Sequence, residues 1–376
     1  MYFITTYQTE IVFIIFLITI LTLLVYYLLI FRKFTFHKSV ASADEKHIPV
    51  SIVITSKNEA YYLKKTLPLL LTQEYTDYEI VIVNDNSNDD TNYLVKYFNK
   101  EYPNIKLVDL SSSVTNIKGK KFPIAIGIKE AKYEHILLTN ASCYPSSRLW
   151  LRKIVRHFKD KKEIVLGFNT FEIKPNIINM LIHFDIFHTA IQYFSYYLVK
   201  MPIMGVSGNI AFTKSLFFDN KGFASHNHLS FGEDTLFVNK VATASNCTIE
   251  YDPEAHTCQG VKSGFRYWKC LKANQIKSKK YYQKKHRLLL SFYQWNSFFF
   301  YTFFILSLCF SLTKLPFLIT TLSLFMVKLI VQYVIFGFAA SKLNEKRIIP
   351  YILIFDLLFA ILNPFLYLFS RAKVII

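Results

Sequence analysis

The chain predicts an open, mostly parallel α/β sheet flanked by helices, with transmembrane helices at both ends. Three observations carry that prediction. From Pro49 onward, short apolar runs alternate with amphipathic stretches, the rhythm of strand–helix–strand units. Ile11–Phe31 holds no charged residue, and three further apolar stretches crowd the other end of the chain. The 376 residues are 52% hydrophobic, with a mean hydropathy of +0.25, too apolar for an ordinary soluble protein.

Glu10 precedes the first apolar run, and Arg32, Lys33 and Lys38 follow it. A cleavable leader would carry its positive charges in front and small residues at its cut site, and neither is present. The segment reads as an anchor over residues 11–31, behind a short tail at 1–10. Its basic flank places the following domain in the cytoplasm, at the inner face of the cell membrane. Residues 32–48 form a polar linker.

Val50–Thr55 reads as a buried strand and Tyr61–Leu71 as a helix. Glu79–Val83 is a second strand, followed by a turn through Asn84–Asn88 and a helix from Asp89 to Asn99. Ile105–Val108, His135–Thr139 and Glu163–Phe168 are further strands, with helices at Phe122–Ala131 and Leu149–Phe158 between them. In such a sheet, ligands gather outside the carboxyl ends of the strands. No Gly-x-Gly-x-x-Gly follows the first strand, so a dinucleotide site is not indicated.

Asn176–Val199 is a long apolar and aromatic stretch. Its His183, Asp185 and His188 have the look of a metal-binding string, but on a helix the two histidines lie about 140° apart. A helix packed on the sheet, or lying at the membrane surface, is the better reading. Met204–Phe212 is a glycine-punctuated loop, in which Gly205 and Gly208 permit close backbone approach to a ligand. The acidic pair Glu233–Asp234 follows.

Between Ala255 and Arg287 there is no acidic residue, while Lys262, Arg266, Lys269, Lys272, Lys277 and further lysines are mixed with aromatics. Residues 255–287 read as a basic amphipathic segment on an anionic leaflet. Leu288–Leu312, Pro316–Phe338 and Ile348–Phe369 make up a membrane region of about three helices over 288–370. Four spans is the best count and three the alternative. Lys328 falls in the middle of one of them, so it is either buried in the bundle, or the last two segments are tilted or partly re-entrant.

The formal net charge of +18 suits basic loops against anionic membrane lipids, and anionic ligands such as nucleotides or lipid phosphates. Nucleic acid is not an expected partner, because no recognised binding motif is present. The five cysteines form no ligand-like cluster, which argues against structural zinc.

His135–Pro145, HILLTNASCYP, resembles the strand-end motif Leu-Leu-Thr-Asp-Ala-Asp-Cys-x-Pro of family 2 glycosyltransferases of the GT-A fold. Other motifs follow in the family's order between Ser51 and about Arg287: SIVITSKNEA, VNDNSNDDT, Gly119–Lys121, Gly205–Asn209 and Gly232–Asp234. The resemblance implies a GT-A domain over residues 49–254. It implies that Asn58, Glu59, Asp85 and Lys120 meet the nucleotide-sugar, and that Gly205, Gly208 and Asn209 form an acceptor loop. Asp234 matches the family's general base, with Glu233 in a positioning role. The family's Mg²⁺ or Mn²⁺ is held by an Asp-x-Asp, whose positions here are Asn140 and Ser142. The Gln-x-x-Arg-Trp positions fall on Cys270, Ala273 and Asn274.

The implied reaction is inverting transfer from a UDP- or GDP-linked sugar to a lipid-linked or polysaccharide acceptor. The altered positions leave open a second reading: a catalytically inactive homologue that serves as a binding or scaffold subunit among envelope-glycan assembly proteins. Where carboxylates are missing, Lys57, Lys120 and Lys121 are the cations able to neutralise a phosphate directly.

Overall fold

A computed structural model describes residues 2–38, 47–110, 119–158, 161–260 and 264–369. The chain divides into two compact units, one made of Met1–His37 with Tyr282–Ile376 and the other of Lys38–Tyr281.

The chain opens with helix α1 (Tyr2–Val25), a π-helical turn at Tyr26–Phe31 and α2 (Arg32–Thr35). The helix therefore begins before the expected tail ends and runs beyond Phe31 into the expected linker. Residues 39–46 of that linker lie outside the described residues, as do Lys262 and residues 370–376.

The larger unit follows the expected alternation. In order come β1 (Val50–Ser56), α3 (Ala60–Leu71), β2 (Tyr78–Asn84), α4 (Thr91–Glu101), β3 (Ile105–Asp109), α5 (Lys121–Glu130) and β4 (His135–Asn140). Next are β5 (Cys143–Pro145), α6 (Trp150–Val155), β6 (Ile164–Leu166), β7 (Asn169–Phe171) and α7 (Ile177–Leu198). Then come β8 (Ile210–Thr213), α8 (Lys214–Asp219), α9 (Thr235–Val241), β9 (Cys247–Ile249), β10 (Thr257–Gln259) and α10 (Phe265–Lys279).

Seven strands form the main sheet in the order β3-β2-β1-β4-β8-β6-β9. Only β8 runs against its neighbours β4 and β6. All seven residues of β1 are buried, as a central parallel strand covered on both faces requires, which explains its apolar and β-branched core Ile52–Thr55. Ile52 and Ile54 of β1 pack with Leu63 and Leu67 of α3, Leu137 of β4, and Trp150 and Ile154 of α6.

A second sheet, β5-β10-β7, has no counterpart in the sequence reading. It takes Thr257–Gln259 out of the stretch expected to lie on a membrane surface, pairing it with Cys143–Pro145 and Asn169–Phe171.

The other unit is helical: α1 and α2 are joined by α11 (Lys284–Ser311), α12 (Leu315–Lys342) and α13 (Ile352–Phe369). Phe16 of α1 stacks on Phe300 of α11, with ring centroids 5.7 Å apart. Asn296 of α11 donates its amide to the Thr19 carbonyl at 3.0 Å. Among the described residues, three helical segments are long and apolar enough to cross a membrane: Tyr7–Thr35, Leu315–Lys342 and Lys346–Leu366. α11, which covers the expected span 288–312 to within one residue, is as long as α12 but falls below that measure. Ser291, Gln294, Asn296 and Ser297 interrupt its apolar run.

Candidate active site

Strand order locates the site. β1 lies between β2 and β4, so the chain goes one way to β2 and β3 and then crosses back to β4. The carboxyl ends of β1 and β4 are level, with Thr55 opposite Asn140. Such a switch in direction opens a crevice outside the strand ends, where ligands of α/β sheets bind.

On one side of that crevice, the loop after β1 is sewn to the loop after β2. Asn58 accepts the Asn88 N–H through Oδ1 at 2.7 Å, and its own N–H donates to Ser87 Oγ at 3.0 Å. The Glu59 and Ala60 N–H groups donate to Thr91 Oγ1 and Asp89 Oδ2. Asn58 stands at φ 56, in the left-handed region that asparagine tolerates better than most residues. Lys57 Nζ lies 3.5 Å from Asp85 Oδ2. Burial pushes the Glu59 carboxyl above its ordinary pKa, and its Oε2 has no hydrogen-bond partner.

The acidic pair lies on the turn into α9. Asp234 caps that helix by accepting the Thr235 N–H through Oδ1 at 2.6 Å. Its Oδ2 accepts the Ser207 N–H, from the loop before β8, at 2.7 Å. Both carboxylate oxygens are thereby fixed. Burial raises the Asp234 pKa, against the opposing pull of these hydrogen bonds. Burial, and then the charge of Asp234, push Glu233 up to about 6.

Gly119 and Lys121 hold the loop that delivers this pair. Lys121 Nζ donates to the main-chain oxygens of His226 and Leu229 at 2.7 and 2.8 Å. Burial lowers its pKa to about 8. Gly119, at φ +93, backs onto the same loop so closely that a Cβ would stand 2.7 Å from Ser230 O. The turn before α5 is thus locked against residues 226–230.

A cavity of about 350 Å³ lies within this unit, large enough for a small ligand. Lys120 contributes from the turn before α5, Asn140 from the end of β4, Ser207 and Gly208 from the β8 loop, and Glu233 and Asp234 from the α9 turn. Asp185 and Tyr193 of α7 complete the lining with Trp268, Asn274 and Gln275 of α10. Asp185 is the joint between these helices: Lys272 Nζ donates to its Oδ1 at 2.6 Å and Trp268 Nε1 to its Oδ2 at 2.9 Å. The central residue of the His-x-Asp-x-x-His string is therefore bound to α10, and the helix reading of Asn176–Val199 stands.

Of the residues singled out by sequence, Lys120, Asn140, Gly208, Glu233, Asp234 and Asn274 meet at the cavity. Asn58, Glu59 and Asp85 form the strand-end edge described above and do not line it. Asn209 is not on an acceptor loop surface. It is fully buried, accepting from Trp150 Nε1 and donating to the carbonyls of Phe168 and Ala255. Gly205 is small because Ile210, Leu166 and Val238 press against it, not to admit a ligand. Ser142 is buried at 3% exposure, while Cys270 is exposed; these two and Ala273 lie outside the lining. Sequence reading weighed Asp185 only as part of a metal-like string and gave Trp268 and Gln275 no role in the site. An acid inside an apolar helix, and a Trp and Lys four residues apart on a later one, were the available signals.

The donor set does not fit a divalent metal ion. Mg²⁺ and Mn²⁺ are held by hard, charged oxygens. Asn140 offers a neutral amide, whose nitrogen faces Cys143 Sγ at 3.8 Å, and Ser142 is buried away from the cavity. Among the described residues, no three His, Cys, Asp or Glu side chains cluster as a metal site.

Comparison with known proteins agrees with this architecture. Residues 51–212 match the model of the family described as Glycosyl transferase family 2. A poly-beta-1,6-N-acetyl-D-glucosamine synthase of Staphylococcus epidermidis is 33% identical over 119 residues, 31% of this chain and 27% of that protein. Its Staphylococcus aureus namesake is 32% identical over 92 residues, 24% of this chain and 21% of that protein. The chain thus matches about a quarter of the length of these curated relatives. A solved mannosyltransferase from Pyrobaculum calidifontis, in complex with GDP-Man and Mn²⁺, superposes with a TM-score of 0.61 at 15% identity. The superposition covers 96% of this chain and 99% of that one. Residues 51–212 thus form a Glycosyl transferase family 2 domain, and the fold is of the GT-A type.

Proposed function

We propose that this protein transfers a sugar, with inversion, from a UDP- or GDP-linked donor to a hydroxyl of a lipid-linked or polysaccharide acceptor. The reaction takes place at the cytoplasmic face of the membrane. The observation that carries this reading is the fixed carboxylate of Asp234, held by two backbone N–H groups at the wall of the cavity. Asp234 removes the acceptor proton as the acceptor oxygen attacks the anomeric carbon. Glu233 beside it sets the local charge.

The edge formed by Asn58, Glu59 and Asp85 receives the nucleotide at the carboxyl ends of β1 and β2. The GDP-Man of the solved mannosyltransferase supports a nucleotide-sugar donor, and the names of the similar synthases support a glycan product. The basic residues Arg32, Lys33, Lys342, Lys346 and Arg347 support an inner-face orientation for the domain.

The neutral Asn140 and Ser142 favour a second reading, a non-catalytic subunit that binds or scaffolds an envelope-glycan assembly. Calorimetric titration of the purified full chain with UDP- and GDP-linked sugars, followed by a search for released nucleoside diphosphate, separates the two. Binding with release supports the transferase. Binding without release from any donor, with membrane-lipid and glycan acceptors supplied, supports the scaffold. Absence of binding contradicts the donor assignment.

A further inference from the structure

We infer that Lys120 takes the place of a divalent cation in this site: its ammonium neutralises the departing nucleoside diphosphate, and the chain needs no metal ion. The inference rests on the nucleotide-sugar reading above and assigns a residue that reading leaves open.

A diphosphate leaving group gains negative charge as its bond to the sugar breaks, and something in the site must offset it. Carboxylate-bound metal is the usual means, and the donor set at Asn140 and Ser142 cannot supply it. Among the described residues, three lysines singled out by sequence come into question. Lys57 is on the outer edge, 59% exposed and directed at Asp85. Lys121 is buried, with Nζ engaged by two main-chain carbonyls. Only Lys120 remains.

Lys120 is half-buried and is the one Lys or Arg among the described residues lining the cavity. Its ammonium makes no ion pair with any described residue. Its position is marked from two sides. Its positive charge opposes the burial that raises Glu59, at the end of β1, and likewise the burial that raises Glu233, in the acidic pair. It therefore stands within electrostatic reach of both the nucleotide edge and the proposed base, on the cavity that Asn140 also lines. An ammonium carries three donors on a flexible stem and follows phosphate oxygens as they move.

The step balances without another reactant. The acceptor oxygen forms its bond to the anomeric carbon, and its proton passes to the Asp234 carboxylate. The bond from that carbon to the diphosphate oxygen breaks, and its electron pair leaves on the nucleoside diphosphate. Lys120 keeps its proton throughout and lies against the new negative charge.

The test is calorimetric titration of the full chain in detergent with UDP and with GDP, each in EDTA and in Mn²⁺. The wild type binds one of them in EDTA, and Mn²⁺ changes its Kd less than about threefold. Lys120→Met weakens that binding at least about tenfold, while Lys120→Arg stays within about threefold of wild type. Lys120→Gln is the second neutral variant, and the unfolding midpoint of each protein shows that it is folded. Binding that requires Mn²⁺, or neutral variants that bind like wild type, overturns the lysine assignment and leaves the nucleotide-sugar reading in place. Failure of both nucleotides to bind in either buffer overturns both.

Discussion

Lys121 reaches His226 through a hydrogen bond of 2.7 Å from its Nζ to the main-chain oxygen, and Leu229 through a second of 2.8 Å. A buried ammonium with two carbonyl partners is a structural device. Its place at the start of α5 ties that turn to the loop leading into Glu233 and Asp234. Lys121→Met leaves both carbonyls without their donor, each a loss of about 1 kcal/mol or more. The variant should unfold at a lower temperature, and its turnover should fall more than about tenfold as the acidic pair loses its support. Its affinity for the nucleotide should change little. An unfolding midpoint equal to wild type would contradict this role.

Glu233 gives a pH signature. Its pKa is pushed from 4.5 up to about 6 by burial first and by Asp234 second. The folded state thus binds a proton more tightly than the unfolded chain. Its contribution to stability is fully present below pH 4.5 and is lost as pH rises through about 6. Between those values, wild type should lose stability relative to Glu233→Gln, by on the order of 1 kcal/mol. Unfolding midpoints of the two proteins measured in parallel across that window provide the check. Parallel curves would mean that Glu233 is not held in its acid form.

In the helical unit, Lys328 Nζ lies 2.8 Å from Asp356 Oδ2, and the Tyr301 hydroxyl donates to the same oxygen at 2.7 Å. Gln332 Oε1 accepts from the lysine at 2.7 Å. Lys328 is fully buried, and the cluster joins α11, α12 and α13. Removing one charge strands the other in an apolar bundle. Lys328→Leu should therefore cost about 3–5 kcal/mol, while Lys328→Leu with Asp356→Leu should recover most of that loss. A double variant no more stable than the single one would contradict an ion-pair bolt.

The four strands at one side of the main sheet were legible because each is mostly β-branched or apolar and is followed by turn residues. Val50–Ser56 and His135–Asn140 differ from their expected ends by one residue. The reversed β8 and the sheet β5-β10-β7 were not legible. Strands of three or four residues are too short for a period to register, and pairing such as Cys258 opposite Tyr144 leaves no local trace. The basic stretch misled in part for the same reason. Lys272 reads as one more surface cation until Asp185, far away in the chain, is brought against it. Asp234 was found because its neighbours form a motif. Ser207, whose N–H orients it, contributes through backbone alone and has no side-chain signature.

The central claim is that Asp234 is the base of a sugar transfer. The most direct measurement is release of nucleoside diphosphate from UDP- and GDP-linked sugars, by wild type and by Asp234→Asn, with titration of the nucleotide into both. The account predicts release by wild type, a loss of at least about 10²-fold in the variant, and equal nucleotide affinity in the two. Release that persists undiminished in Asp234→Asn would contradict it.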